Sequence, residues 1–345
     1  MSELIKSERK TVRFEYPVRG HGRPQILMVG NGLERKSGQV SWSQLVDKLT
    51  VQGCLEVSEE EKSMVPFPLL YELLSVGAPI PQVIDGKAIG EERRRLREGM
   101  SQLSNLSNDL LDQLPGLNAD HIFTTNYSYC LEKAFYKRRD FKNPSSRSCV
   151  RFNLLPHGRS ESYYRLHSGY YVNNKMTGNA EFTGLWHIHG EISNPGSIVL
   201  GHDRYGRLLM RIIDTCSNLD YEAIKDESER KAMHSFTSWP ELFLFGDVYI
   251  VGLGFELSEF DLWWLLKRKQ REGYGDGSVF FYDKGKTDNK PPRYSIRDKM
   301  LMAHGVHIID CGADDSTSYD EFYGLAFDDI KAKIAASRQE GQHSI

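Results

Sequence analysis

Two histidines stand where a proton acceptor would be useful. They lie in the run Gly184-Leu185-Trp186-His187-Ile188-His189-Gly190-Glu191-Ile192. An imidazole with an ordinary pKa of about 6.5 exchanges a proton near neutral pH. A strand ending at His189-Gly190 would deliver that ring to a cleft, and the glycine behind it favours His189 as the base. On a continuing strand His187 would share its face, as a competitor or a supporting partner. A purely structural histidine beside a turn is the other reading. Asn126 is the second candidate, in His121-Ile122-Phe123-Thr124-Thr125-Asn126-Tyr127. An asparagine there either caps the next helix or offers its amide to a ligand at the carboxyl end of the strand. Two glycine pairs complete the set: Gly30-Asn31-Gly32, and Gly252-Leu253-Gly254 with Phe255. Such pairs let a backbone approach a diphosphate, or simply make a tight turn.

These residues need elements to hold them. Gln25–Val29 reads as a buried strand running into Gly30-Asn31-Gly32-Leu33-Glu34-Arg35, with a helix opening at Ser41-Trp42. The segment 121–125 is a second strand, followed by a helix through Leu131, Ala134 and Phe135. The His-Gly run is a third, with another apolar run at 197–201. Leu242–Phe245 and Asp247–Val251 are further apolar runs, the second nearly continuous as in a parallel sheet. A helix from Glu259 follows, carrying Lys267, Arg268 and Lys269 at an end that suits the helix dipole. Strands at 278–282 and 306–310 and a helix at 319–337 close the pattern. Alternating strands and helices imply an α/β fold, a Rossmann-like parallel sheet with helices on both faces. The ends at 30–32, 124–126, 189–190 and 252–254 would then gather on one edge. Other expectations are an edge strand near 11–16, a helix over 66–76 behind a solvated acidic run at 59–61, one long amphipathic helix over 91–114, helices over 207–215 and 219–236, and an irregular insertion at 137–183.

The chain has 345 residues and a formal charge of −3, which argues against a dedicated nucleic-acid binder. No apolar run is long enough to span a membrane, and residues 1–10 lack the apolar core of a signal peptide. The expected setting is therefore soluble and cytoplasmic. The five cysteines are scattered without a C-x-x-C pair, so neither a zinc ribbon nor a disulfide framework is supported, and no metal is expected.

Taken in order, the Gly30–Gly32 loop with Ser41-Trp42, Thr124–Tyr127, His189-Gly190, Ser197–Leu200, and Gly252–Phe255 with Ser258, Glu259 and Asp261 resemble the sirtuin-like family. The likeness is to the bacterial sirtuin-like domains of anti-phage defence, over roughly 25–312. It implies an NAD-binding domain at 25–312 that includes the 137–183 insertion, with a lead-in at 1–24 and a helix and tail at 313–345. It implies NAD+ as substrate, His189 as general base, and Asn126 holding a ribose or a water. Gly30, Asn31, Gly32, Thr125 and Asp261 would contact the cofactor, with Gly252 and Gly254 toward the adenosine half. Two departures stand out. The four-cysteine zinc module of deacylases is absent, and Ser128 occupies a position usually held by aspartate. The first favours an NAD+ glycohydrolase, which must hold the ribose and admit one activated water to an oxocarbenium-like state. The alternatives are a protein deacylase or ADP-ribosyltransferase, and a non-catalytic NAD+ or ADP-ribose binding module. A glycohydrolase of this kind would need control, by a homo-oligomer or by a separate sensor or activator protein. The 91–114 and 137–183 segments are the candidate contacts.

Overall fold

The computed structural model describes residues 15–16, 23–37, 44, 45, 47, 57–75, 94, 98, 108–136, 150–155, 164–173, 182–219, 234–284, 295–314 and 316–343. Its strands are β1 (Glu15–Tyr16), β2 (Gln25–Val29), β3 (His121–Thr124), β4 (Val150–Asn153), β5 (Ser168–Asn173), β6 (Phe182–His187), β7 (His234–Ser235), β8 (Asp247–Val251), β9 (Val279–Tyr282) and β10 (Val306–Ile309). Eight of them form one sheet in the order β10-β9-β8-β2-β3-β6-β5-β4. From β10 to β6 every neighbouring pair is parallel. Renumbered from β2, these six strands follow the 3-2-1-4-5-6 order of dinucleotide-binding sheets, with the strand order reversing between β2 and β8. The expected α/β fold with a Rossmann-like sheet is the observed one.

Apolar residues on both faces explain why the inner strands lie buried. In β2, Ile26 and Met28 join a core with Phe123, Trp186, Val248 and Ile250. Leu27 and Val29 point the other way and join Ile122, Leu185, Tyr249 and Val251. Helices cover each face, as parallel sheets require. The first core takes residues from α5 (His202–Ser217), α6 (Trp239–Phe245) and α7 (Phe260–Leu266). The second takes residues from α4 (Cys130–Tyr136) and α9 (Tyr319–His343). The remaining helices are α1 (Asn31–Glu34), α2 (Glu59–Met64), α3 (Phe67–Ser75) and α8 (Ile296–Ala303), the last of which the sequence reading omits.

Several expectations are corrected. The stretch read as irregular holds β4 and β5, which extend the sheet antiparallel from β6. Tyr171 and Phe152 pack into one core while Tyr170 and Val172 pack into the other, so the alternation was present among polar neighbours. Leu242–Phe245 is helical, because Ser238 and Glu241 form a capping box at the start of α6. The proposed helix 91–114 does not run through its end. The Asn108 Oδ1 accepts from the amides of Leu110 and Leu111, and a 3-10 turn with Pro115 follows at Leu111–Leu117. Arg94 and Glu98 are helical, and most of 91–107 lies outside the described residues. The end of the expected helix 219–236 is instead β7, paired with β1. The run 197–201 makes no strand. Ser41 and Trp42 lie outside the described residues.

Candidate active site at the carboxyl edge of the sheet

The helix expected at 41 is preceded by an earlier one, since α1 begins at Asn31 directly after β2. Gly30 and Gly32 are therefore part of its first turn. Their amides donate to Val251 O and Gly252 O, at 3.0 and 2.7 Å. A side chain on Gly30 would meet the backbone of Leu253 at 2.4 Å. Gly252 has φ +67° and its Cα hydrogen faces Leu33, so the close approach these three glycines allow is between the ends of β2 and β8. Gly254 is different: only Glu256 Oε1 comes near, at 3.4 Å, leaving room beside it. Asn31 is partly exposed at the same edge.

Next along the edge, the Thr124 hydroxyl ties β3 to β2 through Val29 O and accepts from the Asn126 amide. Thr125 and Asn126 are both buried, and Thr125 Oγ1 and Asn126 Oδ1 have no hydrogen-bond partner among the described residues. The Asn126 Nδ2 donates to Glu34 Oε1 at 2.8 Å, and Ser128 Oγ donates to Glu34 Oε2 at 2.5 Å. Burial raises the Glu34 carboxyl above its ordinary value, and the Ser128 and Asn126 bonds only partly offset this.

The two histidines separate. β6 stops at His187, and His189 sits in the turn that follows, so the two-residue period no longer applies. The His187 ring bonds Asn126 O through Nδ1 at 2.9 Å and Glu132 Oε1 through Nε2 at 2.8 Å. A carbonyl and a carboxylate only accept, so both ring nitrogens are donors. Burial works against that charge, but Glu132 outweighs it and lifts His187 to about 9. His187 is thus a filled, protonated support. His189 lies 1% exposed with Nε2 at 2.8 Å from Asp261 Oδ2, and its ring meets Tyr205 edge-on. Among the described residues Nδ1 has no hydrogen-bond partner, so a Nε2-protonated ring keeps its basic lone pair there.

Gly190 holds this turn at φ +95°, where a Cβ would strike Ser197 O at 2.3 Å. Beyond it, Glu191 is fully buried and pairs with Arg165, while the Tyr170 hydroxyl donates to it at 2.7 Å. Beside Asp261, Glu259 is buried with Oε2 unpartnered among the described residues, as is Asp261 Oδ1. Burial, then Asp261 and Glu256, push Glu259 well above the usual carboxylate range.

Asn126, Thr125, His189, Asp261 and the glycine loops therefore share one sheet edge. Glu34, Glu132, Glu191, Glu259, Arg165 and Tyr205 had no role assigned from the sequence. Four of these are acids in apolar settings, and a lone acid inside an apolar run, as Glu191 is between Gly190 and Ile192, is the signal that was available. Lys269 is expected as one of three basic residues at a helix end. It is buried, and its ammonium donates to the carbonyls of Leu244, Gly246 and Asp276.

Unpartnered acceptors at a topological switch point suit a ligand rich in hydroxyl donors, such as a nucleoside ribose. They place the protein among α/β domains of the dinucleotide-binding order. Residues 120–290 match the SIR2-like domain family, so the chain carries a SIR2-like domain and is a sirtuin-like protein. The matched stretch holds Asn126, His189, Gly252, Gly254 and Asp261 and begins after Gly30, Gly32 and Glu34. No curated protein matches the chain. A SIR2-like domain implies use of NAD+. No helix among the described residues is long and apolar enough to cross a membrane. No group of three or more potential metal-ligating side chains occurs among them.

Proposed function

We propose that the protein is an NAD+ glycohydrolase, releasing nicotinamide and ADP-ribose, and that it is a regulated effector of anti-phage defence. The observation that carries the hydrolytic part is the His189–Asp261 pair on the same sheet edge as the unpartnered Asn126 Oδ1, where the strand order reverses. Asp261 holds the proton on Nε2, and His189 accepts a proton from water or a ribose hydroxyl at Nδ1. Asn126 Oδ1 accepts a hydrogen bond from the same water or from the ribose. Asp261 Oδ1 and Glu259 receive further hydroxyl groups. The defence role and its control, by self-association or by a separate activator, rest on the family resemblance alone.

The test is NAD+ consumption by purified protein across a range of concentrations, beside His189→Ala. Turnover in the wild type and its loss in the variant support the reading, and a steep concentration dependence supports control by assembly. Turnover unaffected by His189→Ala with Asn126→Ala defeats it. Turnover only with an acylated peptide or acceptor protein would make the protein a transferase or deacylase, and tight binding without turnover a sensor.

A further inference from the structure

An asparagine amide offers a ligand either a donor or an acceptor, and the choice is made by whatever holds its other end. At Asn126 the other end is held by Glu34. This carboxylate lies 1% exposed on α1, and it accepts from Asn126 Nδ2 on one oxygen and from Ser128 Oγ on the other. The bond runs from Asn126 Nδ2 to Glu34 Oε1, so the NH2 faces Glu34. The oxygen is then turned away, buried and without a partner among the described residues. A second tie fixes the residue's backbone, since Asn126 O accepts from the His187 ring and its amide donates to Thr124 Oγ1. The rotamer is therefore held at three points. Glu34 also carries a cost: burial raises its carboxyl above the ordinary value, and the Ser128 and Asn126 bonds and the nearby His187 only partly offset this.

We propose that Glu34 is a positioning residue that commits Asn126 to act as a hydrogen-bond acceptor toward the bound NAD+ or its attacking water. This deepens the glycohydrolase reading and rests on it. It assigns chemistry to an acid outside the family-matched stretch, and it explains Ser128, whose hydroxyl orients the same carboxylate. The ligand group that meets position 126 must be a donor: a ribose hydroxyl or a water, not a carbonyl.

The experiment is a double-mutant cycle read in NAD+ turnover, in NAD+ binding by calorimetry, and in thermal stability. Asn126→Asp keeps an outward oxygen but sets two acids against each other, and kcat/KM should fall about 100-fold. Adding Glu34→Gln reverses the pair, with the glutamine amide donating to the new carboxylate. The double variant should recover at least about tenfold over Asn126→Asp alone. Glu34→Gln by itself should lose about tenfold in kcat while its Tm holds or rises, which a merely structural acid would not do. Independent, multiplicative effects in turnover and binding overturn the proposal, as does a Glu34→Gln enzyme with unchanged kcat and Kd. The single variant decides the matter if the double one fails to fold. A wild type that binds NAD+ without consuming it overturns the hydrolase reading, and the cycle in binding then still decides Glu34. A wild type that neither binds nor consumes NAD+ overturns both.

Discussion

His189 and Asp261 meet with Nε2 2.8 Å from Oδ2, although the strands leading to them, β6 and β8, are separated in the sheet by β2 and β3. The pair joins the two halves of the fold at their shared edge. Asp261→Asn should expose its value. An amide can donate to Nε2 and so favours the other tautomer, with the proton on Nδ1. We expect kcat for NAD+ consumption to fall about 100-fold or more with little change in NAD+ binding. A variant with wild-type kcat would show that the tautomer does not matter.

His187 predicts a pH dependence of stability. Its folded pKa, about 9, lies above the ordinary 6.5. The stabilisation from its pair with Glu132 is therefore complete below about 6.5 and is lost as pH rises toward 9. Thermal melts should show Tm falling across that window, and His187→Gln should flatten the slope. His121 acts in the opposite range. Burial holds it down at about 3, so it contributes stability above 6.5 that is lost as pH falls toward 3.

Gly190→Ala tests the turn behind the base. The substitution meets both a positive φ and the Ser197 carbonyl. It should cost about 2 kcal/mol or more in unfolding free energy, measured by urea denaturation, and should lower turnover through displacement of His189.

Lys269→Met removes an ammonium that three buried carbonyls share. Leu244 O keeps its bond from the Asp276 amide, and the loss at the other two carbonyls should cost about 2 kcal/mol or more. The cost should appear in denaturant midpoints, with NAD+ binding retained in the folded fraction.

Much of the sheet was legible because β2, β3, β8 and β9 are short apolar runs that feed glycine or small polar residues, a pattern that parallel strands impose. The ends carrying Gly30, Asn126, His189 and Gly252 were legible for the same reason. β4 and β5 were not, because their few buried residues, Phe152, Tyr170, Tyr171 and Val172, stand among Arg, Ser, Gly and Asn and form no long apolar run. The site's supports were hidden for a related reason. Glu34, Glu132 and the Asp261 bond to His189 depend on residues between 55 and 94 positions away, and no local spacing encodes such a meeting. The expectation that His187 shares a face with His189 fails because a strand's two-residue period holds only while the strand lasts.

The link between Arg165 and Glu191 bears on how small this enzyme can be made. Glu191 follows the His-Gly turn and is sealed from solvent, while its cation and the Tyr170 hydroxyl arrive from β5 and the residues just before it. Cutting the sheet back to its parallel strands would strand a carboxylate in the interior, at a cost of about 3–5 kcal/mol. The antiparallel margin thus sets the minimal working unit, and shortened versions should lose the grip on His189 before they lose the nucleotide-binding strands.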